Sequence, residues 1–321
     1  MSSPELSTKS PENDALEAAT STADAPPPLC DDCTSDRPTP SGQTPKGEVA
    51  KLSDVDVYIS KPASYPTSPA RLLLLLTGGT GLLSTNNQLQ ADRFAAEGYV
   101  VVMPDLFGGD PAPNSKTAAE IAEESNSGSF LDVFKVKAAE TAKSFMIDMW
   151  LARHTEEKVL PLIKKVLEAA KDEFADAVTY GGGVYAVGYC FGGRYVLLLG
   201  QEKEVARAHG QQSDEEANKA KTEGPWIKVG ALAHATLVSP QDFVGLKVPV
   251  SLVSVESDPM FPDEVRTAGE DVMRESGVEH EVQVYPGVPH GFAVIGEYED
   301  ENIKTAQATA FEQMLKWIED H

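Results

Sequence analysis

Three residue types that together perform nucleophilic acyl transfer stand at three well-separated points of this chain. They are Cys190 in Gly188-Tyr189-Cys190-Phe191-Gly192-Gly193, Asp258 in Ser257-Asp258-Pro259, and His290 in Pro289-His290-Gly291. A thiolate attacks a carbonyl carbon, an imidazole moves the protons, and a carboxylate keeps the imidazole in the useful tautomer. The glycines two residues either side of Cys190 suit a tight strand-to-helix turn, where larger neighbours would clash. A helix starting just after the cysteine aims its first amides at the sulfur and favours thiolate over thiol. The same frame also suits a buried structural cysteine in a close-packed turn.

Asp258 follows the apolar run Val250 to Val255. By itself it reads equally well as an N-cap for a helix beginning near Phe261, and Glu256 competes with it for the acid's role. His290 lies between Pro289 and Gly291 in a loop after the last strand, where it has no apolar face to fill. The other histidines have less around them. His209 sits in a polar stretch, His280 just before a strand, and His154 and His234 are candidates for places near the pocket but carry no motif. Order adds what single residues lack. Nucleophile, acid and histidine in that sequence is the chain order of α/β-hydrolases, and Cys190, Asp258 and His290 follow it, each at a strand end.

The elements that must position these residues alternate along the chain. Val55-Val57-Ile59 reads as an edge strand, and Leu72 to Leu76 as a strand buried on both faces. Asn87 to Glu97 reads as a helix, Tyr99 to Met103 as a strand, and Thr155 to Phe174 as an amphipathic helix. Further on, strands are expected at Val184–Val187, Val229–Ala233, Val250–Val255 and Val282–Tyr285. Helices are expected at Gly192–Leu199, Pro262–Ser276 and Ile303–Ile318. Such alternation predicts an α/β fold, one domain with a mainly parallel central sheet and helices on both faces. Gln201 to Gly224 is polar and reads as a surface excursion. Residues 1–28, rich in Ser, Thr, Pro, Ala and Glu, read as a disordered tail before a domain over 29–321.

The totals exclude some partners. With 27 basic against 50 acidic residues among 321, the net charge of −23 repels phosphate backbones and argues against nucleic acid. The longest apolar run, Leu72 to Leu76, is too short to span a bilayer. The first residues show no basic segment followed by an apolar one, so the expectation is a cytoplasmic protein without membrane attachment. Cys190, Cys30 and Cys33 are the 3 cysteines, too few for a disulfide framework. Cys30-x-x-Cys33 falls short of a zinc site, which wants four ligands, and reads as structural or incidental.

The quoted segments VVMPDLFGGDPAP (Val101 to Pro113), VGYCFGGRYV (Val187 to Val196), SDPMFP (Ser257 to Pro262) and YPGVPHGFAV (Tyr285 to Val294) resemble the dienelactone hydrolase family of α/β-hydrolases, in particular its fungal branch. The resemblance runs over nearly everything from Cys30 onward. It implies a single-domain, cofactor-free and metal-free hydrolase of lactones or activated esters, with Cys190 as nucleophile, His290 as base and Asp258 as its orienting acid. Backbone amides of Phe191 and Gly79 would form the oxyanion hole. Its partner would be a small lactone or ester, and the chain a monomer or homodimer. Arg153 and Arg194 are candidates for a substrate carboxylate. One departure stands out. The family usually has an acidic residue in the loop after the first long strand, and here Gly78 occupies that place in Thr77-Gly78-Gly79-Thr80-Gly81.

Two other function classes fit parts of the chain. Leu76-Thr77-Gly78-Gly79-Thr80-Gly81 after a buried strand resembles the nucleotide loop of short-chain dehydrogenases, with Asp105 as the ribose-binding acid. Against it, Ser84 replaces the third glycine and no Tyr-x-x-x-Lys pair occurs. A hydrolase-like scaffold kept for binding or regulation would explain the missing acid but not the three triad residues in order.

Overall fold

A run such as Leu72 to Leu76 has no polar side to turn to water, so its strand has to be covered on both faces. In the computed structural model, which describes residues 29–113, 144–205 and 221–321, it is the middle of an eight-stranded sheet. The strands of that sheet are β1 (Glu48–Leu52), β2 (Val55–Ser60), β3 (Arg71–Leu76), β4 (Tyr99–Pro104), β5 (Val184–Tyr189), β8 (Val229–Ala233), β9 (Val250–Val255) and β10 (His280–Tyr285). Their order is β1-β2-β4-β3-β5-β8-β9-β10. From β4 to β10 every pairing is parallel, and β1 and β2 join antiparallel at one end.

Alternation within β3 divides the core in two. Leu72, Leu74 and Leu76 point to one face and Leu73 and Leu75 to the other. The first face is covered by the helices 144–153, Glu156–Glu173, Ala175–Gly181, Phe191–Leu199 and Asp263–Ser276, through residues such as Trp150, Ile163, Val166, Leu197 and Met273. The second is covered by Thr85–Ala96 and Glu301–Asp320, through Phe94, Ala95, Phe311 and Met314. Each fully buried leucine contributes about 2 kcal/mol of transfer free energy. The sheet's C-terminal edge therefore stands on a stiff base.

One expectation needs correcting. Val55-Val57-Ile59 lies inside the sheet, between β1 and β4, and the edge is β1. Glu48-Val49-Ala50-Lys51-Leu52 is too polar to announce a strand, because an edge strand with one wet face needs few apolar residues. The polar excursion is closed at its base by a two-stranded antiparallel ribbon, β6 (Lys203–Val205) with β7 (Lys221–Glu223). Its middle, like the tail expected at 1–28, lies outside the described residues. No described helix is long and apolar enough to cross a membrane.

Candidate active site

β5 ends at Tyr189 and the helix Phe191–Leu199 starts one residue later, so the whole change of direction falls on Cys190. Its backbone sits at φ 49 and ψ −116, a region that costs a non-glycine residue about 1–3 kcal/mol. The turn is held from both sides. The Cys190 amide donates to the Ala233 carbonyl at 3.1 Å, and its carbonyl accepts from the Gly193 and Thr236 amides. A Cβ on Gly188 would lie 2.6 Å from the Gly192 carbonyl oxygen, and one on Gly192 would lie 2.3 Å from the Leu76 carbonyl oxygen. The flanking glycines are thus required by backbone-to-backbone approach. Phe191 opens the helix, where amides have no intrahelical acceptor.

Asp258 lies just past β9, almost completely buried, and does not cap the next helix, whose N-cap is Pro262. Its Oδ1 accepts the Met260 amide at 2.9 Å and its Oδ2 accepts from His290 Nδ1 at 2.7 Å. Glu256, the rival acid, is exposed. With Nδ1 engaged, His290 Nε2 is left buried without a formed hydrogen bond. Burial pulls the His290 pKa down, but the carboxylate of Asp258 and the sulfur of Cys190 outweigh it and hold it well above the ordinary value. Cys190 moves the opposite way. The Cys33 thiol lowers its pKa most, burial opposes, and His290 and the Thr236 hydroxyl at 3.9 Å add to the lowering. The arrangement favours a thiolate–imidazolium pair.

Gly78 is where the departure from the family pattern was expected to matter, and a Cβ there would lie 3.1 Å from Cys190 Cβ and 3.6 Å from its Sγ. Any side chain at 78 would press on the thiol. A Cβ on its neighbour Gly79 would fall 2.6 Å from the Cys33 carbonyl oxygen, so the loop, the cysteine turn and the N-terminal arm meet at one point. The Gly79 carbonyl accepts the Ala112 amide at 2.8 Å.

Three residues of this site were not singled out from the sequence as part of it, and a fourth, His234, was placed near the pocket with no motif to mark it. Cys33, read as structural or incidental, is buried and lines the same cavity as Cys190, with Cys30 beside it at 3.0 Å between sulfurs. Arg37 also lines the cavity, paired with Asp32 and lying over the Tyr298 ring at 5.0 Å. His234, after β8, stacks edge-on against His290 with ring centroids 5.0 Å apart. Burial and the neighbouring His290 hold its pKa well below the ordinary value, so it stays neutral. Thr236 follows on the same loop. Only the Cys-x-x-Cys spacing offered a signal, since it puts two sulfurs on one turn without saying what they face.

The arginines proposed earlier are engaged elsewhere. Arg153 pairs with Asp110, and Arg194 with Asp242 and Glu156; neither lines the cavity at Cys190. The dehydrogenase reading loses its acid too. Asp105 accepts the Phe107 and Gly109 amides of its own turn at 3.0 and 2.6 Å, and Ser84 is the N-cap of Thr85–Ala96.

Comparison with known proteins agrees with this geometry. The model of the dienelactone hydrolase family matches residues 55–321. The hydrolase pyvD of Aspergillus violaceofuscus is 30% identical over 280 residues, covering 87% of this chain and 92% of that protein. The hydrolase tropI of Talaromyces stipitatus is 28% identical, covering 86% and 91%. Among solved structures, a putative dienelactone hydrolase from Klebsiella pneumoniae superposes with a TM-score of 0.59 at 16% identity, over 87% of this chain and 100% of that one. A Thermogutta terrifontis esterase gives 0.52 at 15% identity, over 87% and 94%. These structures share the fold. The chain is a member of the dienelactone hydrolase family, an ester- or lactone-hydrolysing enzyme on a single mainly parallel α/β scaffold.

Proposed function

We propose that the chain hydrolyses a small lactone or activated carboxylic ester through a thioester on Cys190, with His290 as the proton carrier and Asp258 as its orienting acid. The observation that carries this reading is the 2.7 Å bond from His290 Nδ1 to Asp258, which leaves Nε2 free beside a cysteine held at φ 49. The catalytic unit is the domain over 29–321, with 1–28 as a tail, and needs no cofactor or metal.

The Cys190 thiolate attacks the substrate carbonyl carbon, and the oxyanion is received by the Phe191 and Gly79 amides. One such donor is worth about 3 kcal/mol of barrier. The tetrahedral species collapses, the C–O bond to the leaving group breaks, and the His290 imidazolium protonates the departing alkoxide. Neutral His290 then takes a proton from water, which attacks the thioester, and Cys190 leaves again as thiolate. Without an acidic side chain at 78, the Cys33 thiol is the neighbour that stabilises the resting thiolate.

The test is a panel of 4-nitrophenyl esters and lactones against wild type and Cys190→Ala, with mass spectrometry of acid-quenched enzyme. Turnover should fall by about 10³-fold or more in the variant, and wild type alone should carry the acyl mass on the peptide containing Cys190. Undiminished turnover in Cys190→Ala would remove the thioester from the mechanism.

A further inference from the structure

All 3 cysteines of this chain meet at one place. Cys30 and Cys33, from the N-terminal arm, have their sulfurs 3.0 Å apart, and both lie within 4.8 Å of the His290 ring nitrogen they face. Cys33 and Cys190 line one cavity, and the Cys190 sulfur holds the Cys33 thiol well above the usual thiol pKa. Burial is graded along the series: Cys190 and Cys33 are buried, whereas Cys30 is half-exposed. Ester hydrolysis has no use for the outermost of these thiols.

Two chemistries suit neighbouring sulfurs, a metal or a disulfide, and the spacing separates them. Two thiolates on one tetrahedral zinc, each about 2.3 Å from the metal, stand roughly 3.8 Å apart. A bonded pair stands about 2.05 Å apart. At 3.0 Å, Cys30 and Cys33 are closer than zinc would hold them and need only a small rotation to bond.

We propose that Cys190, Cys33 and Cys30 form a thiol relay that reduces hydroperoxides and returns Cys190 to the thiolate. It rests on the reading of Cys190 as the reactive thiol of the site. The Cys190 thiolate attacks the outer peroxide oxygen, forming S–O and breaking O–O, and the released alkoxide or hydroxide takes the proton of His290. The Cys33 sulfur attacks the Cys190 sulfur as its proton passes to the departing hydroxide; S–S forms, S–O breaks, and water leaves. Cys30 passes its proton to the now neutral His290 and attacks the Cys33 sulfur; S–S forms, the Cys33–Cys190 bond breaks, and Cys190 leaves as thiolate beside a restored imidazolium. The sum is one peroxide reduced by two electrons to alcohol and water, with Cys30 and Cys33 oxidised to a disulfide. Cys30 is the sulfur an external dithiol can reach to reset the pair.

The experiment exposes reduced full-length protein to one equivalent of hydrogen peroxide and reads the products by non-reducing peptide mapping with mass spectrometry. Wild type is expected to end with a Cys30–Cys33 disulfide and free Cys190. Cys30→Ser should stop at a Cys33–Cys190 disulfide that dithiothreitol reopens. Cys33→Ser should strand the Cys190 sulfenic acid, trapped as its dimedone adduct about ten-fold above wild type. Cys190→Ser should slow formation of the Cys30–Cys33 disulfide by about ten-fold. Circular dichroism checks each fold, with Cys33→Ala in reserve.

Equal dimedone adduct on Cys190 in wild type and Cys33→Ser overturns the relay, as does an undiminished rate of disulfide formation in Cys190→Ser. Stoichiometric zinc in the purified protein, lost in Cys30→Ser, would assign the sulfurs to a metal and overturn it too. Because the readouts are covalent masses, the two readings fail separately. Ester turnover that survives in Cys190→Ala removes the thioester alone, and missing disulfides with turnover lost in that variant remove the relay alone.

Discussion

The turn at Cys190 and the arm that carries Cys30, Cys33 and Arg37 reach the same cavity by different physical means. The turn is clamped by main chain on main chain. Its amide and carbonyl bond to Ala233, Gly193 and Thr236, and two glycines leave no room for even a methyl group. The arm holds one four-residue helix, Asp31–Thr34, too short to persist without tertiary support. Side chains and one main-chain bond tie it down. Asn86 Nδ2 donates to the Arg37 carbonyl at 2.7 Å, Thr39 donates to Asn86 Oδ1 at 2.9 Å, and the Glu297 amide donates to the Pro38 carbonyl at 2.8 Å. Leu29 and Cys33 add two buried apolar anchors. The difference teaches that the relative placement of Cys190, Asp258 and His290 belongs to the sheet, while part of the thiol's electrostatic surroundings, Cys33, is supplied by a separately anchored strap.

Breaking the rigid side should have the largest effect. Asp258→Asn keeps the shape but favours the wrong imidazole tautomer, and kcat should drop roughly 10³–10⁴-fold with little change in KM, checked by steady-state kinetics. Next is the turn itself. Gly192→Ala puts a methyl 2.3 Å from the Leu76 carbonyl oxygen, backbone that cannot give way. It should cost about 3 kcal/mol or more of stability, seen as a lowered Tm. Asn86→Ala, on the arm side, removes two hydrogen bonds and should cost only about 1–2 kcal/mol. A loss from Asn86→Ala that equals that from Gly192→Ala would dissolve the contrast between the two regions.

Cys33→Ala tests the arm's electrostatic role. Cys33 helps to hold the Cys190 pKa below the usual thiol range, so its removal raises that pKa. The acid limb of the kcat/KM profile should move to higher pH, with activity lost first at low pH and largely kept on the alkaline side. The smallest effect is expected from Gly78→Ala. Its Cβ would press on Cys190 Cβ at 3.1 Å, a contact a small shift relieves. Turnover should fall a few-fold and stability change by about 1 kcal/mol or less.

Much of this was legible because it is local. The apolar runs of β3, β4, β5, β8 and β9 can lie only in a sheet covered on both faces, and all five are found there. The glycines around Cys190 announced a turn whose backbone packing demands them. The pairing of Asp258 with His290 was foreseen because strand ends of a parallel sheet converge on one edge. Polar β1 escaped notice, since one wet face needs little hydrophobicity.

The remainder depended on long-range packing. Asp258 was balanced between helix cap and partner of a histidine, and only the tertiary structure gives the cap to Pro262 and sets Asp258 against His290, 32 positions away. Arg153 and Arg194 lay near motifs in the chain, yet carboxylates turn both away from the Cys190 cavity, which receives Arg37 instead. The acid missing at Gly78 was a fact of the sequence, but what stands against the sulfur in its absence was not. By itself the sequence determined the layered α/β scaffold and the cysteine turn, because periodicity and glycine spacing act over a few residues. Only the tertiary structure decided that Cys33 and Cys30 lie at Cys190, because residues about 160 positions apart meet through the path of the arm, which no local pattern encodes.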